Sequence, residues 1–209
     1  MSILFDVHPV NPQPRLLKQA AQLLDNGRLL AIPTDSSYAL VARLDDKAAA
    51  DGLRRLRGLD DRHHLTLLVR DLAEIAKFAK VDNAQYRLLK NATPGPWTFI
   101  LEATKDVPRR VSHPSRKTIG VRVPDHPVTL MLIEELGAPL LSTSLIPDGE
   151  DMPLNDPHEI TDRYGHALAG VIASGSCPIQ PTTVIDLTTA TPEIVRRGAG
   201  DPATIGLAE

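Results

Sequence analysis

The chain has 209 residues, of which 42% are hydrophobic and 23% are charged, proportions typical of a globular domain. Aromatic residues make up only 3%, which argues against a nucleic-acid binder that stacks bases on aromatic side chains. The net charge of −3 gives no overall attraction to nucleic acid or to anionic membranes. The single cysteine, Cys177, excludes an intrachain disulfide and a cysteine-based zinc site.

The organisation of the chain favours a single domain. Residues 1–14 lack the basic and apolar segments of a secretory signal, and no apolar stretch is long enough to span a bilayer. No internal repeat, low-complexity tract or linker interrupts the sequence. We therefore expect one soluble, cytoplasmic domain over residues 1–209.

Helical and extended patterns alternate along the chain, which predicts an α/β (α+β) fold in which helices flank a sheet. Helices are predicted at residues 15–26, from Asp46 to about Arg57, after Asp71, at residues 128–136 and after Asp156, on the basis of apolar periodicity and capping residues. Strands are predicted at residues 29–32, 65–69, 97–103, 119–123, 140–142, 171–173, 183–187 and 193–197.

Several predicted strands run directly into, or start from, short loops of Pro, Thr, Ser and Asp. These loops contain Thr34, Ser142, Ser144 and Thr182. In open α/β sheets the ligand crevice lies at strand ends, where hydroxyl and backbone N–H groups can bind phosphate or carboxylate oxygens. The alternative is that these residues only form turns.

Two arginines occur within apolar strand patterns, Arg122 in residues 120–124 and Arg196 in residues 194–198. Both are therefore predicted to be mostly buried. A buried guanidinium needs an anionic partner, which is either a ligand or an internal Asp or Glu. The sequence leaves both options open.

Other motifs carry less information. His63 and His64 suggest a metal site, but adjacent residues point to different sides of an extended chain, so surface histidines and no metal site are predicted. Residues 174–176 match neither a Walker motif nor a dinucleotide fingerprint. The common hydrolase and metalloprotease motifs are absent from the sequence.

Five ordered motifs, spaced over about residues 9–198, resemble the YrdC/YciO family. They are Pro33-Thr34-Asp35-x-x-Tyr38-x-Leu40, Pro94-Gly95-Pro96-x-Thr98, Gly120-Val121-Arg122-Val123-Pro124, Pro139-Leu140-Leu141-Ser142-Thr143-Ser144 and Thr182-Thr183-Val184-Ile185-Asp186. The resemblance implies a YrdC-like twisted mixed sheet, flanked by helices, with a concave and positively charged cleft.

The resemblance also implies a reaction. Synthases of this family are nucleotidyltransferase-type enzymes that make L-threonylcarbamoyladenylate from L-threonine, bicarbonate and ATP, with Mg²⁺ bound to ATP and no prosthetic group. The product serves threonylcarbamoyladenosine modification of tRNA. On this basis the expected partners are ATP, L-threonine and tRNA, and the oligomeric state stays open.

The family motifs assign roles to individual residues of this sequence. Thr34, Ser142, Ser144 and Arg196 would face the nucleotide, whereas Arg122 and Thr182 would face the threonine carboxylate and the carbamoyl group. The expected catalytic set is Thr34, Arg57, His63 and Arg122.

The chain departs from the synthases at two motifs. The Lys-x-Arg motif becomes Arg57-Gly58-Leu59, with His63 at a later basic position, although an alignment shifted to Arg55 and Arg57 is the alternative. The Ser-x-Asn motif ends in Ile146. Each loss would remove about 1–3 kcal/mol from the stabilisation of a triphosphate. These departures resemble the YciO branch of the family.

An alternative function is double-stranded RNA or tRNA binding by the same fold without synthase activity. The candidate basic residues are Arg54, Arg55, Arg57, Arg62, Arg109, Arg110, Arg116 and Lys117. Such a set also describes an ordinary solvated face of a protein whose net charge is negative. A structural or regulatory role in tRNA modification is a third reading.

Overall fold

The computed structural model describes residues 2–60, 63, 65–115 and 117–207. A single sheet of ten strands runs through this part of the chain. The strands are β1 (Ile3–Asp6), β2 (Leu30–Ile32), β3 (Ala39–Arg43), β4 (Thr66–Leu68), β5 (Trp97–Glu102), β6 (Thr118–Arg122), β7 (Leu140–Ser144), β8 (Gly170–Ala173), β9 (Thr183–Asp186) and β10 (Glu193–Arg196). Their order across the sheet is β1-β8-β2-β3-β7-β4-β6-β5-β9-β10.

Six α-helices and a short 3₁₀ turn at Pro202–Ile205 accompany the sheet in the described ranges. The helices are α1 (Pro14–Asp25), α2 (Lys47–Leu56), α3 (Leu72–Phe78), α4 (Asn83–Ala92), α5 (Pro127–Leu136) and α6 (Pro157–Tyr164). Side chains of Asp46, Asp71 and Asp156 cap α2, α3 and α6, as the sequence predicts. Three elements, β1, β3 and α4, are missing from the sequence-based prediction.

Strand pairing is mixed. The pairs β1–β8, β8–β2, β4–β6 and β5–β9 are parallel, whereas β2–β3, β3–β7, β7–β4, β6–β5 and β9–β10 are antiparallel. The prediction of a twisted mixed sheet flanked by helices is therefore confirmed. None of the described helices is long and apolar enough to cross a membrane.

The helices cover the two faces of the sheet unequally. One face buries Leu40, Phe99 and Val121 in a core shared with residues of α2, α3, α4 and α6. On the opposite face, α1 and α5 pack together over the half of the sheet that begins at β1, against residues such as Leu30 and Val41. The other half of that face, from β7 to β10, carries the cavity described below.

Candidate functional site

A cavity of about 280 Å³ lies on this second half of the sheet face. Its walls come from loops at strand ends and from seven strands, which are β3, β7, β4, β6, β5, β9 and β10 in their order across the sheet. Gly120 forms part of the surface, where a Cβ atom would lie only 3.0 Å from Oγ1 of Thr66 and 3.4 Å from Cγ2 of Thr98. The open space therefore depends on the absence of a side chain at this position.

The cavity brings together most of the site residues expected from the sequence. Its lining includes Thr34, His63, Arg122, Ser142, Ser144, Thr182 and Arg196. Arg57 is not among the described lining residues. The sequence-based set also lacks Thr66, a single polar residue in an apolar strand, and that polarity was the signal that could have revealed it.

The Thr34 hydroxyl organises the loop that follows β2. Its Oγ1 donates to the carbonyl of Ser37 (2.6 Å) and accepts from the backbone N–H groups of Ser36 and Ser37 (3.2 Å each). The residue is almost completely buried. The hydroxyl closes a local turn, and the residue also lines the cavity.

Arg122 lies at the end of β6, inside the sheet, with 5% of its surface exposed. Its Nη2 donates to Asp35 in an ion pair and its Nη1 donates to the Ser36 hydroxyl (2.9 Å). Burial lowers the pKa of Arg122, and the Asp35 carboxylate opposes that shift. The predicted burial is confirmed, and the guanidinium has an internal partner while it also lines the cavity.

Arg196 differs from its prediction, because it is exposed rather than buried. The reason is that β10 is the outermost strand of the sheet, with a neighbour on one side only. Its Nε and Nη2 atoms donate to the carbonyl of Thr182 (3.1 and 2.9 Å), and Nη2 also donates to Thr182 Oγ1 (3.1 Å). The Thr182 hydroxyl lies 2.9 Å from the Thr98 hydroxyl, so the three side chains form one network.

Strand pairing sets the two arginines at opposite ends of a row. Thr98 on β5 pairs with Val184 on β9, which pairs with Arg196 on β10. On the other side of β5, the register with β6 places Thr98 beside Arg122. Since neighbouring strands lie about 4.8 Å apart, the row spans about 14 Å between its end residues.

Ser142 and Ser144 lie two residues apart on β7 and therefore share a face of the sheet. Ser142 donates to the carbonyl of Thr66 (2.9 Å), which joins β7 to β4 at the cavity. Ser144 is half-buried at the end of its strand. Hydroxyl groups thus line the wall opposite Arg196.

His63 and Arg57 occupy the segment between α2 and β4. His63 lines the cavity, and desolvation together with the positive charge of Arg57 lowers the pKa of its imidazole. Arg57 instead donates to the carbonyl of Ile146, in the loop after β7, and burial lowers its pKa. His64 lies outside the described residues. Among those that are described, no group of three His, Cys, Asp or Glu residues could hold a metal ion.

The described residues among those expected to bind RNA lie in two groups, near the two ends of α2. Arg54 is buried, which corrects its expected place on a solvated face, while Arg55 is exposed near the C-terminal end of α2. Arg109, Arg110 and Lys117 are exposed in the β5–β6 connection, and Arg110 donates to the carbonyl of Asp45, beside the N-terminal end of α2. A ten-residue helix is about 15 Å long, so the two groups are separated along it. Arg62 and Arg116 lie outside the described residues.

The fold and the cavity define an α/β protein with a polar, arginine-bearing cleft on the open half of a mixed sheet. A family model described as "Telomere recombination", that of the Sua5, YciO and YrdC proteins, matches residues 22–198. The chain therefore belongs to the Sua5/YciO/YrdC family, which confirms the resemblance found in its motifs.

Individual relatives point to two branches. The chain is 48% identical over 201 residues to the "Uncharacterized protein YciO" of Escherichia coli (strain K12), covering 96% of this chain and 98% of that protein. It is 30% identical over 184 residues to the threonylcarbamoyl-AMP synthase of Pyrococcus abyssi (strain GE5 / Orsay), covering 87% of this chain but 54% of the synthase.

Solved structures also include a YciO protein and a more distant Sua5 protein. The crystal structure of E. coli YciO matches with a TM-score of 0.95 at 47% identity, covering 98% of this chain and all of that chain (100%). The crystal structure of P. abyssi Sua5 complexed with L-threonine matches with a TM-score of 0.87 at 26% identity, covering 94% of this chain and 58% of that chain.

Proposed function

We propose that the cavity binds ATP and L-threonine and that the protein makes, or acts on, an L-threonylcarbamoyl adenylate. The observation that carries the proposal is the row across four strands, with a guanidinium at each end and hydroxyl groups between them. An acyl adenylate of this kind has two anionic groups, a carboxylate and a phosphate, separated by a neutral carbamoyl link. The row offers a matching order of cation, hydroxyl groups and cation.

Each end of the row has a proposed task. Arg122 binds the threonine carboxylate, because a planar guanidinium suits two-point contact with a carboxylate. Arg196 binds the α-phosphate, and the hydroxyls of Thr98 and Thr182 lie between them at the carbamoyl group. Ser142 and Ser144 contact the nucleotide from β7.

The proposed chemistry is positioning and charge neutralisation. The threonine amine and bicarbonate give a carbamate and water, and a carbamate oxygen then attacks the α-phosphorus of ATP. The bond from that phosphorus to the bridging oxygen breaks, and pyrophosphate leaves. Fixed donors lower the barrier by holding the reacting groups and stabilising phosphate charge.

Mg²⁺ enters this proposal as part of the ATP substrate. The described residues that line the cavity include no carboxylate, and Mg²⁺ in nucleotide sites is held largely by phosphate oxygens and water. The hydroxyl groups of Ser142, Ser144 and Thr182 suit a hydrated ion of this kind. We therefore propose MgATP, rather than a resident metal ion.

The β- and γ-phosphates would be held less firmly than the rest of the ligand. The side chain of Arg57 donates to the Ile146 carbonyl. Leu59 carries no charge where the synthases have Arg, and the side chain of Ile146 has no amide where they have Asn. Among the described residues of the segment between α2 and β4, His63 alone is a charged or titratable residue of the cavity lining. We propose a slower pyrophosphate release than in the synthases, with the product serving tRNA modification.

The test is pyrophosphate release by the purified full chain with MgATP, L-threonine and bicarbonate. We expect release that requires all three and that is lost in Arg122→Ala but retained in Arg163→Ala, which removes a surface arginine paired with Glu150. Release that is independent of L-threonine would contradict the proposal. So would the absence of turnover combined with no ATP binding by calorimetry.

A further inference from the structure

The partners of Arg122 lie outside the cavity. Arg122 is a lining residue, whereas Asp35 and Ser36, which accept from its Nη2 and Nη1 atoms, are not. A guanidinium has five N–H groups, and these two contacts use one on each of two nitrogens. Asp35 and Ser36 thus hold the arginine from outside the cavity, and the guanidinium retains N–H donors for a ligand.

The charge of this arginine is already balanced. The side chains of Arg122 and Asp35 are only 6% and 14% exposed, so water screens their attraction poorly. A carboxylate that enters the cavity meets a neutral pair instead of a free cation. It has to share Arg122 with the carboxylate of Asp35.

We propose that Asp35 is the positioning residue of Arg122 and that its charge sets the affinity of the cavity for a carboxylate. The inference rests on the proposed function, since it assigns the carboxylate of L-threonine to Arg122. Asp35 has two separable effects. Its oxygen orients the guanidinium, which favours binding, and its negative charge opposes a second carboxylate, which weakens binding and assists release.

Two substitutions separate these effects. Asp35→Asn keeps an oxygen acceptor for Nη2 and removes the charge, whereas Asp35→Ala removes both. Asp25→Asn is the control, because it removes one of the two carboxylate partners of Arg43, Asp25 and Asp45, and neither Asp25 nor Arg43 lines the cavity.

The first measurement is L-threonine binding to the folded full-length variants by calorimetry. We expect Asp35→Asn to bind about tenfold more tightly than the wild type, Asp35→Ala to bind at least threefold more weakly than Asp35→Asn, and the control to be unchanged. A purely structural role cannot strengthen binding. Binding by Asp35→Asn that equals or falls below the wild type overturns the inference.

The second measurement does not need a ligand. In urea unfolding, Asp35→Asn should lower the midpoint clearly less in an Arg122→Met background than in the wild type, because the pair is already broken. Equal shifts in both backgrounds would overturn the positioning role. If the coupling is present but neither the wild type nor Asp35→Asn binds L-threonine, the charge effect and the proposed function fail and the positioning role stands.

Discussion

Arg122 and Arg196 reach the same cavity from opposite ends of one row, but the protein holds them in different ways. Arg122 is buried within the sheet, where an ion pair and a hydroxyl fix it. Arg196 is exposed on the outermost strand and is held by a backbone carbonyl and the hydroxyl of Thr182. Arg122 is therefore held rigidly, whereas Arg196 can change its contacts more easily.

This contrast has an energetic side. A buried charge is tolerated only while its partner remains, so changes at Arg122 affect both folding and binding. An exposed arginine loses little when its partners change, because water replaces them. We therefore expect the loss of the Arg122 side chain to reduce stability more than the loss of the Arg196 side chain.

The largest expected effect comes from Arg122→Met compared with Arg196→Met. The first substitution leaves Asp35 buried without its cation and should lower the free energy of unfolding by about 3–5 kcal/mol. The second should cost about 1 kcal/mol, since it removes partly buried hydrogen bonds and no ion pair. Urea unfolding of both variants measures the difference, and equal losses would remove the distinction between the two ends.

Gly198→Ala should be the next largest effect and it disturbs the Arg196 end. A Cβ atom there would lie 2.2 Å from the Pro181 carbonyl oxygen and 2.5 Å from the Thr182 carbonyl carbon. We expect a loss of about 1–3 kcal/mol in stability, because the backbone must shift. The control is Gly52→Ala in α2, where the nearest atom would be at 3.4 Å. A Gly198→Ala variant as stable as this control would show that the loop yields freely.

Thr182→Val tests the hydroxyl network between the two ends. The substitution removes the Oγ1 atom that meets Thr98 and Arg196, and it keeps the carbonyl that holds the guanidinium. We expect about 1 kcal/mol less stability and about tenfold weaker ligand binding. Thr161→Val is the control, since its hydroxyl bonds within α6. Equal binding by both variants would exclude Thr182 from ligand contact.

A smaller effect concerns pH. The pKa of His63 is lowered, so its imidazole is neutral near pH 7, and a bound phosphate would favour its protonated form. We expect ATP affinity to rise about threefold as the pH falls from about 8 to 6, and to stay flat in His63→Gln. Calorimetry in buffers of different ionisation enthalpy measures the proton uptake. A steep dependence that persists in His63→Gln would assign it to another group.

The lowered pKa of His63 also determines how stability changes with pH. The folded protein binds fewer protons at His63 than the unfolded chain does. Its contribution to stability is therefore complete above the unfolded pKa of about 6.5 and is lost as the pH falls below it.

The smallest effect is expected for RNA. Arg55 and the pair Arg109 and Arg110 lie near opposite ends of α2, so each group can be tested by itself. If this basic set binds tRNA, the Arg55→Ala variant and the double variant Arg109→Ala with Arg110→Ala should each reduce the salt slope of binding by about 0.9 for each phosphate that is no longer neutralised. An unchanged salt slope in both variants would exclude both groups from phosphate contact.

The sequence was sufficient for the sheet class and for seven of the residues that line the cavity. The strand-end loops follow from local sequence pattern, and the family motifs added the roles of the site residues. The burial of individual side chains was harder to predict from the sequence. Arg122 and Arg196 have similar neighbours in sequence, and only the strand order, which depends on contacts between distant segments, places one inside and the other at the edge.

The missed elements have local explanations. The strand β3 closely follows the Thr34 loop, so its apolar pattern merged with the loop. Helix α4 begins with a capping box of Asp82 and Gln85 that is visible in the sequence, but its apolar face is narrow. The burial of Arg54 could not be predicted from local sequence, because it depends on which distant residues cover the end of α2.

The position of β10 at the margin of the sheet has a consequence for association. A strand with unpaired backbone groups can recruit a strand from another chain, and such pairing would cover the wall that carries Arg196. Here the strand is only four residues long, carries charge at Glu193 and Arg196, and has a register shift between Ile194 and Arg196. These are the features by which natural sheets resist extension. The cavity wall at this margin is therefore protected from being covered by strand pairing.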